Sequence, residues 1–233
     1  MPRAARPSIQ DRCRELLAFD RALAAPVPPL APDRLASPRR LIGFDEAGRG
    51  AWAGPVAVGC VHFPVSLSDD DLVSLLAGVD DSKRLSPATR ERLFARIAEC
   101  GRFAVGFASA AEIDRIGIVP ACRRAAARAY TRLAVGADLV LCDRGLSLEA
   151  PGAPPGEEFT GGDARSLHIA AASIVAKVSR DARMVRLDRG WPDYGLAQHK
   201  GYGTKAHRNA LLDRGVSRLH RRTYLRGLRE ANL

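Results

Sequence analysis

The sequence predicts an α/β domain of stacked layers, on three observations. Strand-like apolar runs occur over RRLIGFDEAG, GPVAVGCVHF, RFAVGFASA and ADLVLCD, with helical patterns between and after them. The first two runs are joined through a glycine turn, which pairs them antiparallel, whereas the run ending on Asp143 arrives through helices and suits a parallel partner. The chain of 233 residues is 46% apolar, enough to bury a core, and its 27% charged residues exclude a mostly disordered polymer.

Each element follows from local signals. Residues 9–24 (IQDRCRELLAFDRALA) place Leu16, Leu17 and Leu23 at helical spacing. Five prolines in the fourteen residues APVPPLAPDRLASP mark a linker, so the domain starts near Arg39. Ser86-Pro87 is an N-cap followed by proline at the first helical position, and Gly101 stops that helix. Residues 110–116 and about 119–135 read as helices, and Glu149 to Gly162, rich in Pro and Gly, reads as a loop. Asp163 is the expected N-cap of a long helix that runs to Gly190. A Gly/Tyr-rich turn and one or two basic helices complete the chain. The organisation expected is a helix and linker over 1–38, a catalytic domain over 39–190 and a basic helical extension over 191–233.

Charge points to the partner. With 36 Lys+Arg against 26 Asp+Glu the net charge is +10, and the stretch from His199 to Arg229 holds nine cations and one acid. Such focus at one end favours a polyanion, most often nucleic acid, over a merely solvated surface. The longest apolar runs, about ten residues, fall short of the roughly 20 that span a membrane. No secretory h-region precedes the domain, and five scattered cysteines without a CxxC suit a reducing compartment, so the expected location is the cytoplasm.

Carboxylates at strand exits are the candidate chemistry. Asp45-Glu46 end the first strand and Asp143 ends the fourth, where acids are costly unless paired or metal-bound and where open sheets bind ligands. Asp181 lies inside the long helix on the face of Ala170, Ser173, Ile174 and Lys177; the alternative for it is an i,i+4 ion pair with Lys177. Acids without His or Cys partners suit Mg²⁺ or Mn²⁺, and several of them beside a basic surface suit two-metal phosphodiester hydrolysis. Neighbouring strand residues point to opposite faces, so Glu46 joins Asp45 only if the following glycines let the strand break there.

GFDEAGRG, AGPV, DSKRLS, IAAASIVAKVSRD, YGLAQHKGYGT and HRRTY, in that order, resemble the ribonuclease HII family from about Leu41 to Tyr224. The resemblance implies an RNase H-like α/β/α fold, a five-stranded mixed sheet with a C-terminal helical extension. It implies an endonuclease that cuts RNA in RNA–DNA hybrids and 5′ of ribonucleotides embedded in duplex DNA, leaving 3′-hydroxyl and 5′-phosphate ends. It assigns the catalytic, metal-binding quartet to Asp45, Glu46, Asp143 and Asp181, with Mg²⁺ or Mn²⁺ and no small-molecule cofactor. Gly48, Arg49 and Gly50 would read the ribose 2′-hydroxyl, Tyr202 would sense the RNA–DNA junction, and Lys83 and Lys177 would contact phosphate. A monomer and no membrane are expected. Two departures stand near that site: Ala51-Trp52 where the family commonly has Pro-Leu, and Arg144 where glycine usually follows the strand aspartate. The rivals are a ribonuclease HIII type, for whose extra N-terminal domain 38 residues are too few, and an inert binding relative, against which the retained acids speak.

Overall fold

The computed structural model describes residues 8–25 and 38–226; the linker expected between the first helix and the domain falls almost wholly outside them. Among the described residues a five-stranded mixed sheet, β1 (Leu41–Ala47), β2 (Val56–His62), β3 (Arg102–Ala108), β4 (Leu139–Asp143) and β5 (Gly156–Phe159), is ordered β3-β2-β1-β4-β5. The first three strands pair antiparallel, and β4 is parallel to both β1 and β5. No helix among the described residues is long and apolar enough to cross a membrane.

Helices cover both faces, as strands buried on both sides require. On one face lie α1 (Ile9–Ala24), α2 (Asp69–Leu75), α3 (Pro87–Cys100) and the 22-residue α6 (Leu167–Asp188), around Leu16, Val61, Leu72, Ile97 and Ile174. On the other lie α4 (Ala110–Ile116) and α5 (Ile118–Leu133), packed on Ile42, Phe44, Val58 and Val140. Gly59 on β2 lets α6 settle directly on the sheet, since a Cβ there would stand 2.6 Å from the Ala172 carbonyl oxygen. Caps set the helix starts: Ser8 and Ser109 form capping boxes with Asp11 and Glu112, and Ser86 accepts from the Thr89 amide ahead of Pro87.

Two expectations are corrected. The loop expected over Glu149 to Gly162 contains β5, an edge strand too short and too exposed to leave a hydrophobic alternation. Asp163 does not cap the long helix: Ser166 does, accepting from the Ile169 amide, and Asp163 sits in a 3₁₀ turn, Gly162–Ala164. The helix α2 carries no strong sequence signal, being a seven-residue acidic turn.

The C-terminal segment, with α7 (Leu196–His199) and α8 (Lys205–Arg214), wraps the end of α6 around Met184, Tyr194, Leu196 and Leu211. Backbone bonds stitch it to the loop after β1: the Trp52 amide donates to Gly201 O (2.8 Å), Gly54 to Leu219 O (2.8 Å) and Arg221 to Trp52 O (2.7 Å).

Candidate active site

Three of the four catalytic candidates, Asp45, Glu46 and Asp143, meet at the carboxyl ends of β1 and β4, in a cleft of about 560 Å³ also lined by Gly48–Gly50, Ser82, Lys83, Arg90, Lys177 and Tyr202. Strand alternation turns Asp45 toward α6 and buries it; burial first, then the charges of Glu46 and Asp143, push its carboxyl well above the usual range. Glu46 reaches the cleft without the strand break that its position was expected to need. Pairing with β2 continues through Glu46 and Ala47, whereas pairing with β4 stops at Phe44, so the sheet opens beside Glu46. Burial raises the Glu46 carboxyl against the pull of Arg49, whose Nη1 is 3.3 Å from Oε1, while Oε2 is buried with no hydrogen-bond partner.

Asp181 is not brought to this cleft. It accepts from Lys177 Nζ at 2.9 Å and lines a neighbouring depression with Arg90, Glu91 and Lys200. The reason is helical rise: eight residues beyond Ser173, it lies about 12 Å further along α6. The further acid that stands beside Asp143 is Asp163. Its turn donates the Gly162 amide to Asp143 Oδ1 at 2.8 Å, and its Oδ2 is 4.0 Å from Lys83 Nζ. Burial, then Asp81 and Asp143, raise its carboxyl. Lys83 faces the same acids: burial lowers its ammonium, but Asp81, Asp45, Asp163 and Asp143 hold it above the ordinary lysine value. The signal for Asp163 was legible, because Ser166 stands directly before the apolar run from Leu167 and can cap that helix by itself, which leaves the aspartate unexplained.

The glycine loop is held from below by two buried arginines that have no carboxylate partner among the described residues. Arg180 donates to the carbonyls of Pro55 (2.9 Å), Lys200 (2.9 Å) and Ala53 (3.3 Å). Arg221 donates to Gly48 O (2.8 Å), Arg49 O (2.7 Å) and Gly54 O (3.1 Å), and Tyr224 Oη adds a bond to Arg49 O (3.1 Å). Burial, then Arg180, lower the Arg221 guanidinium to about 10. HRRTY contains Arg221, but nothing local in the sequence assigns it. Tyr202 stands over the same framework, its ring 5.3 Å from the Arg180 guanidinium and 5.6 Å from Lys177 Nζ. Of the two departures, Trp52 packs where a Cβ on Gly203 would go, and Arg144 is exposed while its amide donates to Phe159 O at 3.0 Å.

The donor set suits a hard divalent cation: oxygen ligands only, one of them an orphaned buried carboxylate oxygen. Among the described residues no three acidic, imidazole or thiol side chains are gathered closely enough to hold an ion alone. These carboxylates would therefore hold one together with phosphate oxygens and water, the usual manner of Mg²⁺.

A family model described as Ribonuclease HII matches residues 42–226. The ribonuclease HII of Geobacillus kaustophilus (strain HTA426) is 42% identical over 223 residues, 95% of this chain and 78% of its own. Among solved structures, the PCNA:RNase HII complex from Archaeoglobus fulgidus aligns with a TM-score of 0.61 at 27% identity, over 78% of this chain and 93% of the matched one. Bst-RNase HIII in complex with Mn²⁺ shares the fold, with a TM-score of 0.63 at 21% identity, over 87% of this chain and 77% of that one.

Proposed function

The chain belongs to the ribonuclease HII family, whose members cleave the RNA of RNA–DNA hybrids, and from that premise we propose that it also cuts 5′ of single ribonucleotides in duplex DNA by two-metal-ion hydrolysis. The observation that carries the reading is the buried Asp45 with its raised carboxyl, flanked by Glu46 and Asp143 beneath a loop anchored by Arg221.

In this reading Asp45, Glu46, Asp143 and Asp163 hold Mg²⁺ or Mn²⁺, which when bound supplies an activated water and stabilises the leaving 3′-oxygen. Asp45, on whose carboxyl the charges of both Glu46 and Asp143 act, would be the central holder of the set. Lys83 and Lys177 steady the phosphates on either side of the scissile bond.

The glycine loop reads the sugar. A trans peptide points its C=O and the following N–H in opposite directions. Arg221 takes the Gly48 and Arg49 carbonyls on the inner side, so the Arg49 and Gly50 amides face outward. Those amides donate to the ribose 2′-oxygen, which deoxyribose lacks. Tyr202, placed by backbone bonds from Gly201 to the same loop, packs on the next sugar and favours one without a 2′-hydroxyl.

Incubating the protein with duplexes holding zero, one or four ribonucleotides, under Mg²⁺, Mn²⁺ or EDTA, tests this. Cuts 5′ of the ribonucleotide with 3′-hydroxyl and 5′-phosphate ends, absent with EDTA, are expected. Cutting in EDTA, or 2′,3′-cyclic ends, overturns the mechanism.

A further inference from the structure

We propose that the N-terminal helix α1, which lies outside the residues the family model matches, braces the catalytic turn, and that Arg12 is a positioning residue for cleavage. The proposal rests on the reading of Asp163 as a member of the acidic set.

Three contacts from α1 converge on residues 164–168. Arg12 Nη2 donates to Ala164 O at 2.6 Å, directly beside Asp163. Arg165 lays its guanidinium over the Phe19 ring at 4.8 Å. The buried Asp20 carboxylate accepts from the His168 amide at 3.0 Å and meets its ring Nδ1 at 2.7 Å. The turn so gripped presents Asp163 and also donates the Gly162 amide to Asp143, so two of the four acids depend on its position.

Arg12 reaches the opposite wall as well. The same Nη2 lies 3.9 Å from Asp80 Oδ1, in the segment that carries Asp81 and Lys83. Lys83 of that segment places its Nζ 4.0 Å from Asp163 Oδ2. One guanidinium therefore ties the turn of Asp163 to the loop of Lys83, a planar, multi-donor task for which arginine is suited. The rest of α1 holds on without touching the cleft: Arg14 pairs with Asp70 at 3.0 Å and Arg21 with Asp69 at 2.7 Å, both on α2. Displacement of carboxylates by an ångström is expensive in turnover, on the order of 100-fold.

The test uses the full chain and four variants, Arg12→Ala, Arg12→Lys, Arg14→Ala and Asp163→Asn, at a temperature where circular dichroism shows each folded. Steady-state cleavage of a duplex with one ribonucleotide gives kcat and KM, and calorimetry gives Mn²⁺ binding to the protein in complex with an all-DNA duplex of the same sequence, which supplies the phosphates. Arg12→Ala should lower kcat roughly 10- to 100-fold with KM little changed, and weaken Mn²⁺ binding about tenfold. Arg12→Lys should recover part of kcat, because one ammonium still reaches the Ala164 carbonyl. Arg14→Ala should leave both readouts at wild type. Wild-type kcat and Mn²⁺ affinity in Arg12→Ala, with only a lower melting temperature, would reduce α1 to a structural staple. If Asp163→Asn is inactive while Arg12→Ala is not, the brace alone is wrong; if Asp163→Asn cleaves at the wild-type rate, the acidic set on which it rests is wrong.

Discussion

Arg180 occupies the space that a side chain at Gly48 would need: a Cβ on Gly48 would lie 1.8 Å from Arg180 Nε. Gly48 also holds φ +88, a conformation that L-residues avoid at a cost of about 1–2 kcal/mol. Gly50, two residues on, has nothing within 4 Å of its would-be Cβ. The two glycines of one motif thus differ in their surroundings, one admitting the protein's own arginine and the other facing open space, where the proposed sugar contact would lie.

Gly48→Ala should therefore destabilise the fold and lower cleavage of every substrate, whereas Gly50→Ala should keep the wild-type melting temperature and lose kcat/KM. Thermal unfolding beside steady-state kinetics separates them. A Gly50→Ala protein with full kcat/KM would remove the close approach to the sugar from the account.

Arg221→Met should destabilise by about 3 kcal/mol in urea unfolding, because it strips charged donors from the carbonyls of Gly48, Arg49 and Gly54. Arg221→Lys should recover little, since one ammonium cannot span three carbonyls. A lysine variant as stable as wild type would contradict this.

The first four strands, the longer helices and the strand-exit acids were legible in the sequence because each is local, whereas β5 is too short and exposed and α2 too short to leave a pattern. Arg221 was not, because its partners lie more than 160 residues away and an arginine in a basic tail looks solvated. The resemblance assigns Asp181 to the acidic set and an expected N-cap role accounts for Asp163. Helical periodicity cannot correct this, since it shows which face a residue shares but not how far along the axis the cleft extends. The ion pair of Lys177 with Asp181, the alternative weighed for that residue, is what the fold contains.

Tyr202→Ala should lower kcat/KM at a single embedded ribonucleotide more than at the internal positions of a run of four, because inside the run the sugar that would lie beside the ring is another ribose. Equal losses on both substrates would make the ring a packing residue between Arg180 and Lys177.

Acid should loosen the C-terminal segment. The Ser217 amide donates to His220 Nδ1, so His220 donates from Nε2 to His207 Nε2, and His207 donates from Nδ1 to Tyr202 O; both rings are neutral. Burial lowers each to about 4, from an ordinary value of 6.5. Between those values the unfolded chain binds more protons, so stability falls as pH drops from about 6.5 toward 4. His207→Gln with His220→Gln should flatten that fall in denaturant titrations at pH 7, 5.5 and 4.5. An unchanged slope would assign it to other groups.

The most direct measurement compares Asp163→Asn with Asp181→Asn for the cleavage rate of a duplex carrying one ribonucleotide, at saturating Mg²⁺ or Mn²⁺. The acidic set Asp45, Glu46, Asp143 and Asp163 predicts that Asp163→Asn loses at least roughly 100-fold. It predicts that Asp181→Asn, which removes only a part-exposed ion pair, stays within about fivefold of wild type. The reverse order, with Asp181→Asn inactive and Asp163→Asn active, would contradict it.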